Sequence, residues 1–153
     1  MNLYEAALKV ATKAHKGQTR WNGEPYITHP IAVAEAMKYY DECTCATAVL
    51  HDVIEDTDYD TTSLFKAVSD ECFGNSIPNI QDLRDVNFVI QTVSVLSKKT
   101  DETYRDYIMR LKTDWGMTIP RAIKIADLKH NLSDLKPGQR RDKYELALTI
   151  LET

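Results

Sequence analysis

Four side chains at well-separated positions could together hold a divalent cation: His29, the adjacent pair His51 and Asp52, and Asp127. Two imidazoles and two carboxylates make a hard-to-intermediate donor set. It suits Mn²⁺, Fe²⁺ or Zn²⁺, with coordination positions left open for water. A lone histidine is more often structural than ligating, so the surroundings matter. Asp52, Glu55 and Asp56 crowd one stretch directly after His51. Three carboxylates so close repel one another unless a cation or solvent relieves them. Neighbours on a helix point about 100° apart, so His51 and Asp52 can flank a single point beside a helix.

The elements that must bring these residues together read as helices. Leu3, Ala7, Leu8 and Ala11 give an apolar stripe on a helix near residues 2–15, ended by Gly17. A polar loop with Gly23 and Pro25 runs to about Thr28. His29 then stands at a helix start, with Pro30 in the first turn, where proline is tolerated, and with Ile31, Ala34 and Met37 on one face. A third helix is expected over about 43–54, carrying His51 and Asp52, and a fourth over 61–70 with Thr61 and Thr62 as caps. After a turn region at 74–80, helical patterns resume near 82–97, 102–113, 118–134 and 139–151, the last two parted by Pro137-Gly138. No run alternates with period 2. The fold class is all-α, and without repeats or a linker the chain reads as a single domain over 1–153.

Composition narrows the function. Hydrophobic residues are 43% of the chain and charged residues 27%, enough of each for a packed core and a soluble surface. The net charge of −4 leaves no broad basic face, which disfavours DNA or RNA as a partner. Cys43, Cys45 and Cys72 are odd in number and lack Cys-x-x-Cys spacing, so they read as buried reduced thiols. The start has neither the basic residues nor the apolar run of a signal peptide, and no apolar stretch nears the ~20 residues of a membrane span. The expectation is a cytoplasmic protein without a membrane partner.

Three ordered segments resemble one family. His51-Asp52-Val-Ile-Glu55-Asp56-Thr57 looks like the motif of HD-domain phosphohydrolases, in the version of the alarmone (ppGpp) hydrolase domains of Rel/Spo-type proteins. The segment from Ala14 to Pro30, with His15, Gly17, Gln18, Arg20, Gly23, Glu24, Pro25, Tyr26 and His29, resembles that subfamily's N-terminal signature. Ile125-Ala126-Asp127-Leu-Lys-His130-Asn131 resembles its third motif. The resemblance implies an HD-domain helical bundle holding one Mn²⁺ through His29, His51, Asp52 and Asp127. It also implies that Glu55 and Asp56 position and activate the attacking water. The spacing agrees, because Glu55 and Asp56 each lie four residues, one helical turn, after His51 and Asp52.

The substrate side follows from the same resemblance. Arg20 matches a base-contacting arginine. The next position, usually basic, is Trp21, which could stack on a purine or simply anchor the loop. Asn131 matches a ribose-contacting asparagine, and Arg140 with Tyr144 an Arg/Tyr pair holding phosphate and ribose. The run Arg140, Arg141, Lys143 could equally be a solvated helix start. Lys124, one turn before Asp127, would neutralise phosphate or carboxylates, and His15 would brace the loop to Gly17. Ser94–Lys98 looks like a degraded version of the family's Val-Thr-Lys segment. The implied activity is Mn²⁺-dependent removal of the 3′-pyrophosphate of ppGpp or pppGpp, giving GDP or GTP and pyrophosphate. Synthetase and regulatory domains, which long relatives append, are not expected in 153 residues. An HD-type phosphatase of another nucleotide such as NADPH is the alternative. A non-catalytic nucleotide-binding module ranks below both, since neither a ligand nor the Glu-Asp pair is lost.

Overall fold

The computed structural model describes all 153 residues and contains helices α1 (Leu3–Ala14), α2 (Thr28–Ala36), α3 (Glu42–Leu50), α4 (Val53–Asp56), α5 (Thr61–Phe73), α6 (Ile80–Leu96), α7 (Tyr104–Thr113), α8 (Thr118–Leu132) and α9 (Gln139–Glu152). The all-α expectation holds. Extended pairing is confined to one bridge between Thr19 and Pro25. No helix is long and apolar enough to cross a membrane. Backbone contacts group the chain into two compact units, Met1–Ser97 and Lys98–Thr153.

In the first unit α3 is the hub, packing against α1, α2 and α6. Its sequence explains this: Ala46, Thr47, Ala48, Val49 and Leu50 are all fully buried, and the small residues let neighbouring helices approach on several sides. The continuous helix expected over 43–54 is broken. α3 stops at Leu50, and the four-residue α4 begins only at Val53. The reason is local. The His51 ring bonds the Ala48 carbonyl through Nδ1 at 2.8 Å, and the His51 N–H reaches only that same carbonyl, at 3.4 Å. Asp52 then leaves ideal helical geometry at φ −97°, ψ −4°.

Two other expectations are corrected. The α5 cap is not Thr61 or Thr62 but Asp60, whose side chain accepts from the Ser63 N–H at 2.8 Å while Ser63 Oγ accepts from the Asp60 N–H. Thr61 and Thr62 are already inside the helix, whereas Asp60 has the extended backbone a cap requires. The three cysteines are free of disulfides, as expected, but only partly buried. Burial pushes the Cys43 thiol up to about 11, with Asp85, Asp41 and Glu42 adding to it, so this thiol stays protonated and unreactive.

The second unit is built by α7, α8 and α9, each packed on the other two. Tyr107, Ile108, Leu111, Leu128, Ala147 and Leu151 form its core. One ion pair ties down its entry. Arg110 donates from Nε to Glu102 Oε1 at 2.7 Å and from a terminal nitrogen to Oε2 at 3.1 Å. The Glu102 and Arg110 side chains are only 10% and 17% exposed. The Arg110 hydrogen bonds hold the Glu102 carboxyl below the usual glutamate range, more than offsetting burial, and the Lys99 N–H adds to them. A lowered folded-state pKa gives stability that is complete above the ordinary glutamate value of 4.5 and is lost as pH falls through the folded value. Glu102→Gln should therefore lower the urea midpoint at pH 7, and its deficit should shrink on acidification below pH 4.5; a deficit that is constant with pH would show that the pairing does not set it.

Candidate active site

The break between α3 and α4 creates the site in the first unit. Because His51 ends one helix and Asp52 precedes the next, both side chains turn to one point, with Nε2 of His51 3.0 Å from Oδ2 of Asp52. His29, in the first turn of α2 and 1% exposed, brings its Nε2 to 3.6 Å from the same oxygen. The two imidazoles meet edge to face at 5.2 Å. One ligand atom from each of these three residues lies within 4.8 Å of the others.

The donor chemistry fits a divalent ion. His51 Nδ1 is spent on the Ala48 carbonyl and must carry the proton there. Its Nε2 then faces the carboxylate oxygen, and in the neutral ring that nitrogen is a lone pair that a cation can take up. Such fixing of the remote ring nitrogen by a backbone carbonyl is the usual support of a metal-ligating histidine.

Asp56 stands beside this group. The Tyr26 hydroxyl donates to Asp52 Oδ2 at 2.6 Å and lies 3.3 Å from Asp56 Oδ2. Asp56, like Glu55, is an exposed residue, yet partial desolvation of its carboxyl, and next the Asp52 charge, raise its pKa above the ordinary aspartate range. The Tyr26 hydrogen bond and the His15 and His51 charges oppose that rise in part. A carboxyl so shifted is better matched to taking a proton from water near neutrality. Glu55, on α4, is exposed.

The N-terminal signature forms a small hairpin. The Arg20 N–H donates to the Glu24 carbonyl and the Tyr26 N–H to the Gln18 carbonyl, both at 2.9 Å, around Gly23 at φ +85°. That positive φ is strained for residues with a Cβ. Arg20 is buried, and its guanidinium lies 5.0 Å from the centre of the Trp21 ring. Trp21 is 45% exposed, so one face is held by the arginine while much of the ring meets solvent. His15 is buried and bonds Gln18 at 2.8 Å, bracing the loop as expected.

In the second unit Asp127 is 3% exposed. Lys124 donates to its Oδ2 at 2.7 Å and Asn131 to its Oδ1 at 2.9 Å. Of the two roles open to Lys124, the carboxylate contact is the one observed. Burial disfavours the Lys124 charge, but Asp127, Tyr107 and Tyr104 together outweigh it and hold its pKa well above the ordinary range. Arg140 is exposed in the first turn of α9. Tyr144, one turn later, packs against that unit's core with its ring 6.3 Å from Tyr104. Sequence reasoning missed Tyr26. It stood in the quoted signature, yet nothing local distinguishes a tyrosine that packs from one that bonds a carboxylate 26 residues away.

The HD domain family model matches residues 7–151. The chain belongs to the HD-domain family. As an HD domain it is 38% identical over 150 residues, 92% of its length, to a protein of Haemophilus influenzae named guanosine-3′,5′-bis(diphosphate) 3′-pyrophosphohydrolase. It is 37% identical over 148 residues, 88% of its length, to the bifunctional (p)ppGpp synthase/hydrolase SpoT of Escherichia coli. These matches cover 20% and 19% of the two relatives, so the chain spans about a fifth of the curated proteins it matches. A solved structure of a metazoan SpoT ortholog, described as hydrolysing ppGpp, superposes with a TM-score of 0.71 at 22% identity, covering 99% of this chain and 84% of that one. That likeness establishes the helical fold.

The Lys124–Asp127 contact yields a stability test of this HD domain. Lys124→Met keeps the aliphatic stem but leaves a buried carboxylate without its cation. With metal chelated, unfolding free energy should fall by about 3 kcal/mol, the low end for breaking a buried pair, because 16% of the lysine side chain is still exposed. A loss under about 1 kcal/mol in denaturant titration would mean that solvent already compensates Asp127.

Proposed function

We propose that this HD domain is a metal-dependent phosphohydrolase that removes the 3′-pyrophosphate of ppGpp or pppGpp, releasing GDP or GTP and pyrophosphate. The observation that carries the reading is the convergence of His29, His51 and Asp52 on one point, with the Asp56 carboxyl joined to Asp52 through Tyr26. The names of the bacterial relatives support the choice of substrate. Asp127 is the fourth ligand in this reading, which makes residues 1–153 one catalytic domain. Mn²⁺ is the proposed ion, with Fe²⁺ and Zn²⁺ suited to the same donors. A divalent ion in such a site polarises a phosphoryl oxygen and lowers the pKa of water.

The chain's own residues supply the rest. His29 and His51 offer ring nitrogens as ligands, and Asp52 offers charge. Asp56 and Glu55 orient the attacking water and take its proton. Lys124 and Asn131 hold the Asp127 carboxylate in one orientation. Asn131 can also meet ribose, and Arg140 with Tyr144 phosphate and ribose. Arg20 and Trp21 meet the base: the guanidinium lies against the ring, which leaves the exposed part of Trp21 for stacking.

The reading is tested by incubating the chain with Mn²⁺ and ppGpp, pppGpp or NADPH, scoring pyrophosphate against orthophosphate. Pyrophosphate from the guanosine substrates is expected. Orthophosphate from NADPH, with ppGpp untouched, would replace the alarmone reading by a phosphatase one. Glu55→Gln preserves size and removes one base. It should lower kcat by 10²-fold or more, the order expected of a lost general base, with KM little changed. Near-normal kcat would leave proton removal to Asp56.

A further inference from the structure

Asp52 occupies the N-cap position of α4, where an aspartate ordinarily accepts a backbone N–H of the following turn, yet its side chain makes no capping bond. The carboxylate is diverted to Tyr26. The 2.6 Å contact has the length of a hydroxyl bonded to an ionised carboxylate. The oxygen it meets, Oδ2, is the same one that faces Nε2 of His51 and of His29. The same hydroxyl lies 3.3 Å from Asp56 Oδ2.

Tyr26 is itself held from several directions. Its ring lies 4.8 Å from that of His15 and 5.9 Å from that of His29. Its N–H closes the hairpin onto the Gln18 carbonyl. Gln18 in turn donates from Nε2 to the Asp56 carbonyl at 2.9 Å, which leaves its Oε1 to accept from His15 Nδ1. One hairpin thus grips both acidic residues, Asp56 through its backbone and Asp52 through its carboxylate.

We infer that Tyr26 is a positioning residue: its hydroxyl sets the orientation of the Asp52 carboxylate toward the metal and couples it to Asp56. This rests on the metal-hydrolase reading above and adds a residue to it. Tyr26 is not among the residues proposed to ligate the metal or to hold the nucleotide. It acts by fixing an oxygen that does, and hydrogen-bond partners of ligating side chains commonly change metal affinity or activity by 10–100-fold when removed.

The test compares Tyr26→Phe with Tyr26→Leu in the full chain. Phe keeps the ring against His15 and His29 and removes only the hydroxyl, whereas Leu removes both. Mn²⁺ affinity is read without nucleotide from the electron paramagnetic resonance signal of free Mn²⁺, with thermal unfolding recorded for each variant. The inference predicts that Phe unfolds close to wild type yet binds Mn²⁺ about 10-fold or more weakly. At saturating Mn²⁺ its kcat on ppGpp should fall with KM nearly constant. Leu should match the Phe affinity and also unfold earlier. If Phe restores wild-type affinity and kcat and only Leu is impaired, Tyr26 is a packing residue and the inference is overturned. Wild-type chain that binds Mn²⁺ but leaves ppGpp intact would overturn the substrate assignment alone, and the Mn²⁺ titrations would still decide the role of Tyr26.

Discussion

His51 Nε2 stands 3.0 Å from Asp52 Oδ2, with a second imidazole nitrogen, that of His29, 3.6 Å from the same oxygen. An unprotonated ring nitrogen and a carboxylate oxygen are both acceptors and do not attract one another. A cation between them, or a proton, must provide the attraction. Much of the first unit serves to keep the three donors there. The Ala48 carbonyl fixes the proton of His51 on Nδ1, Pro30 and the first turn of α2 hold His29 buried, and the helix break releases Asp52 from the α3 axis. A site that concentrates donors in this way costs stability without its ion and regains it by mass action when the ion binds.

The same economy is visible around Asp127, where both carboxylate oxygens are already engaged by Lys124 and Asn131. An ionised carboxylate has about four acceptor positions, so two hydrogen bonds orient it and leave capacity for a further ligand interaction. Two of the residues proposed to meet the substrate lie in a different regime, while a third, Arg20, is buried. Trp21 and Arg140 are exposed.

Much of this was legible in the sequence because helical periodicity is a strong local signal. The ends of α1, α6, α7, α8 and α9 fall within two residues of expectation. The histidines and Asp52 were legible through motif order, since each is weak evidence alone. What escaped depends on competition that pattern does not encode. The break at His51 arises because a side chain takes a backbone carbonyl, and no glycine or proline marks it in the sequence. The α5 cap moved one position upstream because Asp60, rather than Thr61, has the extended backbone. Tyr26 was hidden because its partner is 26 residues away, and the partial exposure of the cysteines depends on how α3 and α5 pack.

His29, His51 and Asp52 face one another as a donor set for a divalent cation. Mn²⁺ titration of the full chain, compared with Asp52→Asn, tests it most directly, because asparagine keeps the shape and removes the charge. The account predicts one tightly bound Mn²⁺ per chain in the wild type, accompanied by a higher unfolding temperature, and loss of both in the variant. Equal Mn²⁺ binding by the two proteins, or none by the wild type, would contradict it.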